Sequence, residues 1–341
     1  MEKRIVGVYL IQLIGLSLLL TACNNDLDVI DDYQETPIIY SLLNAYDSVQ
    51  YVRVEKAFLG EGNALLMAQS VDSLYYDTAD VSVSLVKYKN SVLVDTMKLK
   101  PTDQIAKDEG LFADYPHLLY RSDGLKLLDT EANYKLYFHN KKSGVTITAV
   151  TPVVKQVTLN PLLPSPLPNP SSTINFASDD PLIIGVVTPA KGKFLSLVIR
   201  INYVDSIPGA LQSQHRTLNY SQPVMVAATS TGGQNFEYQI DGDLFYQFVG
   251  RNVKKDPNIY RDASLFSIDF IFTVGAEEFY TYYVVNLPST SINDNIPEYT
   301  NLSSGKGIFS SRSIRIYPNK KLNNASRDSL INGQYTNGRF Q

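Results

Sequence analysis

Cysteine occurs once in the 341 residues, at position 23, and Leu20, Thr21 and Ala22 precede it. A large aliphatic residue, two small residues and a cysteine spell a lipobox. The small side chains let an extended chain enter a signal peptidase. The thiol then takes a diacylglycerol, and the amine freed by cleavage is acylated. Several acyl chains on one residue hold a protein firmly on a bilayer. A sulfur used this way leaves no thiol for a disulfide, for nucleophilic catalysis or for a zinc–cysteine site.

The other residues able to do chemistry form no catalytic pattern. His117, His139 and His215 lack the i, i+4 spacing of helical ligands, so no metal is expected. No G-x-S-x-G elbow marks a nucleophilic serine, although a triad can assemble from distant positions. Asp241-Gly242-Asp243 begins like a calcium loop, lacks the later ligands, and reads better as a helix cap. Glu277-Glu278 and Asp179-Asp180 are adjacent pairs, whereas glycosidase carboxylates face each other across a sugar. They read as helix-dipole and solvation features. Tyr280, Tyr282 and Tyr283, with Tyr75 and Tyr76, can stack on a sugar ring or a partner's surface, or fill a core with their hydroxyls at its rim. Trp is absent, which weakens a sugar platform. No GxGxxG or P-loop stands between a strand and a helix. A chain without catalytic residues, metal or cofactor is the expectation.

The elements that would position these residues begin with the leader. Lys3 and Arg4 precede an apolar run over residues 5–20, rather short for a membrane span and suited to a signal peptide over 1–22. An ordinary cleaved signal is the competing reading. Residues 23–35, with Asp26, Asp28, Asp31 and Asp32, read as an acidic tether. The formal charge of −4 becomes −5 once Glu2, Lys3 and Arg4 are removed, and gives no reason to expect nucleic acid. No later stretch is a transmembrane candidate, so the lipid is the expected membrane contact.

Abundant Tyr, Val, Ile and Thr favour strands, and the predicted fold is mainly β. Residues 36–158 carry six or seven short strands. On one of them Tyr51, Arg53 and Glu55 share a face and Val52 and Val54 the other. Lys141-Lys142-Ser143-Gly144 turns a hairpin. This spacing predicts an immunoglobulin-like or transthyretin-like β-sandwich, with an irregular excursion over 101–121. Five prolines between 159 and 172 predict a stiff extended linker. Residues 173–318 read as a β-rich α+β domain with one or two short helices. One is capped by Asp241 over Leu244, Phe245, Phe248 and Val249; the other runs from Glu277 to Val285. Residues 319–341 read as a loose polar tail.

Six triplets of Asp, then Ser or Thr, then an apolar residue resemble the O-glycosylation sequence of Bacteroidota, where composition gives about one or two. They name Ser48, Ser73, Thr78, Ser206 and Ser329 as candidate acceptors, and Thr96, inside a strand, as the weakest. Asp-Ser and Asp-Thr also simply start turns. The layout as a whole resembles a Bacteroidota family of outer-membrane lipoproteins defined only by a domain of unknown function. The lipobox carries the resemblance, with the hairpin from Ala132 through Ser143-Gly144 to Pro152 and the segment Pro297–Phe309. The acidic tether resembles the acidic segments that follow the lipidated Cys in surface-exported lipoproteins of Bacteroidota. The resemblance implies a lipid anchor in the outer membrane, on the cell surface rather than the periplasmic leaflet, and a role beside a TonB-dependent receptor or transporter. It assigns no catalytic residue. The expected function is a non-enzymatic binding or interaction module. A structural or adhesin-like envelope protein, and a hydrolase with a scattered site around His215, are the alternatives.

Overall fold

Strand alternation builds most of the molecule. In the computed structural model of the chain, β1 (Pro37–Leu43) buries Ile39, Ser41 and Leu43 and turns Tyr40 and Leu42 the other way. β2 (Tyr51–Lys56) likewise buries Val52 and Val54 and turns Tyr51, Arg53 and Glu55 outward. The structure describes residues 35–57, 63–108, 110–124, 127–207, 209, 212–287 and 298–341. The leader, Leu20, Thr21, Ala22 and Cys23, and the tether up to residue 34 lie outside the described residues.

The fold is mainly β. After β2 come two short helices, α1 (Ala64–Ala68) and α2 (Val71–Leu74), then β3 (Val81–Lys89) and β4 (Val92–Thr102). β5 (Leu119–Ser122), β6 (Asn133–Asn140) and β7 (Thr146–Pro152) complete the first half. Hydrogen bonds run through all of these strands along one path, β1-β2-β5-β4-β3-β6-β7. The path rolls over a core containing Val54, Leu85, Leu136, Phe138 and Ile147. β5 begins inside the stretch expected to be irregular. Its Leu119 and Tyr120 are buried and pair with β4.

The second half holds β8 (Thr158–Leu159), β9 (Leu182–Val187), β10 (Phe194–Asp205), β11 (Gln214–Ser221), β12 (Met225–Val226) and β13 (Asn235–Ile240). Next come α3 (Gly242–Asn252), β14 (Ser267–Gly275), α4 (Glu277–Val285), β15 (Lys306–Lys320) and α5 (Asn324–Asn332). Asp241 caps α3, accepting from Leu244 N at 2.9 Å. β11 occupies a polar stretch with no apolar alternation, because it is an edge strand whose side chains are mostly exposed.

β15 is one long strand that serves two neighbours. Residues Lys306–Ser311 pair in parallel with β1, and residues from Arg312 onward pair antiparallel with β14. The principal sheet therefore runs β11-β10-β14-β15-β1-β2 without interruption. Among the described residues there are two large cores, one using residues 39–153 with Leu302 and Phe309, the other residues 154–276 with Leu330 and Phe340. Val154 and Val157, assigned above to the first domain, pack in the second core.

Two expectations are corrected. Segment 159–172 is a series of turns, not an extended linker. Leu167 is buried in the second core, and Asn160 N donates to Gly185 O at 2.9 Å. The prolines forbid regular structure, but Leu167 between two of them is drawn inward. The tail 319–341 is ordered, with α5 in it. Lys320 is buried, and its ammonium donates to the carbonyls of Pro166 at 3.1 Å and Asn169 at 2.5 Å. Burial lowers its pKa. Leu330 and Phe340 sit in the core, and Gln341 N donates to Arg261 O at 2.9 Å. A few widely spaced apolar residues suffice to dock a segment that looks polar overall.

Candidate ligand-binding site

The outward face of β15, β1 and β2 is where side chains of both halves meet. Its register aligns Ile308 with Tyr40 and Tyr40 with Arg53. α4 crosses this face. Its first N–H groups are steered by Ala276, whose N donates to Ser311 O at 3.0 Å. Gly275 has no Cβ, and the space is taken by the Phe279 ring. Phe279 and Tyr283 both pack edge-on against Phe194 of β10, at 5.1 and 5.0 Å between centroids. α4 is thus wedged between β10 and the sheet face.

Between α4 and the sheet lies a cavity of about 460 Å³. Tyr40, Tyr51, Tyr282 and Phe279 give it aromatic walls, and Arg53 and Arg312 give it positive charge. The Arg53 guanidinium stacks 4.7 Å above the Tyr40 ring. Its Nε is buried without a hydrogen-bond acceptor; Glu55 Oε2 lies 3.7 Å away. Tyr282 meets Tyr40 edge-on at 6.2 Å and donates from its hydroxyl to that of Tyr40 at 3.4 Å. Burial, and then the bond with Tyr40, push the Tyr282 hydroxyl up to about 12, so it acts as a neutral phenol. Asp47, on the β1–β2 turn, supplies a carboxylate at the same cavity. Behind Tyr40 and Tyr282 lies a second cavity of about 320 Å³, reached by Tyr299, Glu298 and Lys306. Lys306 and Glu298 are paired at 2.8 Å.

Glu278 departs from the solvated helix-start reading. Glu277 is exposed, but Glu278 turns inward between Ser310 of β15 and Thr151 of β7. Both hydroxyls donate to its Oε2 at 3.4 Å. Burial raises its pKa, and these hydroxyls only partly oppose that. The period of α4 could have shown this, since Glu278 and Tyr282 are i, i+4 neighbours on one helix face.

The remaining sequence candidates are dispersed. Tyr282 faces the cavity, Tyr283 faces Phe194, and Tyr280 is half-buried, so the three do not form one platform. Tyr75 and Tyr76 are buried beside β2 and do not join them. His139 is exposed and contacts Thr146 across its hairpin at 2.9 Å. His117 lies 3.1 Å from Ile105 O, and His215 is exposed on β11. Among the described residues no cluster of three or more His, Asp or Glu could hold a metal. Asp179, Asp241 and Asp243 line another cavity, of about 380 Å³, but Asp241 is engaged as the helix cap. Ser48 and Thr78 are exposed in turns, whereas Ser73, Ser206 and Ser329 are half-buried, the first and last of them within helices. Thr96 is exposed on β4. No helix among the described residues is long and apolar enough to cross a membrane.

Sequence reasoning placed Arg53 and Tyr51 on one strand face but gave them no role. The missing signal was β15, whose pairing with β1 brings α4 over them. No protein-family model matches the chain, and no curated protein matches it either.

Proposed function

We propose that this chain is a lipoprotein of the outer membrane, held by lipid on Cys23 with its folded part on the cell surface, that binds a ligand without transforming it. The observation that supports a binding role is the Arg53 guanidinium, stacked on Tyr40 with no hydrogen-bond acceptor on its buried Nε and only the Glu55 carboxylate nearby at 3.7 Å, at the wall of a cavity roofed by Tyr282. A guanidinium beside tyrosine rings suits a small anion carried on a ring or apolar body: the charge pairs with Arg, and the body lies on the aromatic faces. Delivery of such a ligand to a neighbouring outer-membrane receptor or transporter is the role that fits.

Glucuronate, with glucose as its neutral counterpart, tests the site. Tyrosine fluorescence is suitable because the chain has 23 Tyr and no Trp. Saturable binding of the anion alone, lost in Arg53→Met and weakened in Tyr282→Ala, is expected. Equal affinity for both sugars, or binding untouched by both substitutions, rules the reading out. The anchor has its own test: Cys23→Ala should leave the membrane fraction. Crosslinking in intact cells should recover an outer-membrane receptor.

A further inference from the structure

Two loops beside β2 form a small lobe with an unusual outer surface. α1 and α2 supply one side and residues 105–108 and 110–118 the other. Ala113 N donates to Ala68 O at 2.9 Å, and Gln69 Nε2 donates to Leu111 O. A separate minor core of Leu74, Tyr75 and Ala113, with Val71 and Leu118 against it, holds the loops together. The outside of the lobe presents Leu65, Leu66, Leu111, Phe112 and Tyr115, all between 49% and 74% exposed. Single exposed apolar side chains are ordinary, but five large ones on one small lobe mark a contact surface.

The chain itself indicates what covers this surface. Its described part begins at Glu35, which is tied to Asn140 Nδ2 at 2.8 Å and shares a cavity of about 690 Å³ with Val71, Tyr75, Pro116 and Leu118. The tether therefore leaves from the root of the lobe. From Cys23 to Glu35 there are twelve residue steps, at most about 40 Å of extended chain. A lipid on Cys23 confines the lobe to that distance from the bilayer, where even a weak apolar contact is strongly populated. Electrostatic attraction is not the cause. Asp72, Asp108 and Asp114 are exposed on the lobe, and the Lys107 ammonium is held over Phe112 at 5.5 Å, donating to Ala113 O at 3.1 Å.

We propose that this lobe is a second membrane contact, with its leucine, phenylalanine and tyrosine side chains seated in the interfacial layer of the bilayer that carries the Cys23 lipid. The contact rests on the anchor proposed above. It sets the orientation of the protein on the membrane, which the tether alone would leave free. Because the contact is apolar, it should be insensitive to salt and should not require anionic lipid.

The test uses the lipidated full-length protein in phosphatidylcholine vesicles. Cys23 is the only cysteine, and acylation blocks its sulfur, so Leu66→Cys introduces the one free thiol. An environment-sensitive fluorophore there should shift to the blue and be quenched by brominated lipid, equally at 0.1 and 0.5 M salt. The same fluorophore on His215→Cys should do neither. Adding Leu65→Asp and Phe112→Asp to the Leu66→Cys protein should abolish the shift while the protein still floats with the vesicles. These are exposed positions, so folding is not at stake. A position-66 fluorophore as wet as that at 215 in floating protein overturns the lobe contact and leaves the anchor standing. Protection at 66 in cell envelopes but not in vesicles overturns it in favour of a protein partner. A protein that does not float, and whose Cys23 takes the label, overturns the anchor and the lobe contact together.

Discussion

Gly307→Ala tests whether the pairing of β15 with β1 holds the halves together. Gly307 has φ of +113° and faces Ile39 in the parallel ladder. A Cβ there would lie 2.0 Å from Ile39 O and 2.8 Å from Ile39 C. Both are backbone atoms, so no side-chain rotation relieves the clash; the strands must separate or slide. The left-handed backbone alone costs about 1–2 kcal/mol for a residue with a Cβ. Displacing the strand loosens two or three ladder hydrogen bonds, at roughly 1 kcal/mol each. The expected loss is about 3–5 kcal/mol, read from urea unfolding by far-UV circular dichroism on the chain lacking residues 1–23. Gly110→Ala is the control, since nothing lies within 4 Å of its added methyl, and it should be neutral or slightly stabilising. A Gly307→Ala protein within 1 kcal/mol of the parent would refute the assigned register.

Glu278→Gln should raise thermal stability at neutral pH and change little near pH 4. The folded-state pKa is raised by burial, so the wild type is most stable below the ordinary carboxyl value and loses stability as pH rises from there through the raised one; parallel melting curves for wild type and mutant against pH would count against this. Asp205→Ala should cost about 3–5 kcal/mol, because it strands a buried charge. Arg261, almost fully buried, donates to Asp205 at 2.5 Å and without it keeps the Tyr203 ring and neutral carbonyls as partners, whereas the half-exposed Arg216 can turn to water. The measurement is the urea midpoint together with protease cleavage in residues 324–341, which should speed up if the Asp205–Arg261 pair holds the C-terminal segment.

How much of this the sequence revealed depended on whether a segment carries its own period. β2 and the capped helix α3 were legible because alternation or i, i+4 spacing recurs within a few residues. β11 was not, because an edge strand exposed to water has no apolar face to write into sequence. Segments 159–172 and 319–341 misled for a related reason. Leu167 and Phe340 are single apolar residues in polar or proline-rich surroundings, Leu330 has only Ile331 beside it, and the burial of all three is decided by the core that they meet. Arg53, Tyr40 and Tyr282 were visible as residues but not as a set. Tyr40 and Tyr282 are 242 positions apart, and only the return of β15 to β1 joins them.

That return also changes what the two halves are for. Two independent β domains on spacers would each present a surface of their own, and a ligand could engage either. Here the walls of the main cavity come from β1 and β2 on one side and from α4 on the other, with Ile308 and Arg312 of β15 between them. α4 is fixed on three sides: by Phe194, by the hydroxyls around Glu278, and by Tyr40. It is therefore a rigid wall whose position depends on both cores. A shift of one half against the other would move Tyr282 off Tyr40 and open the place where the Arg53 guanidinium waits. The geometry of the site is consequently a readout of the junction between the halves. A single glycine at that junction, Gly307, therefore probes the geometry of the site although it does not itself line the main cavity.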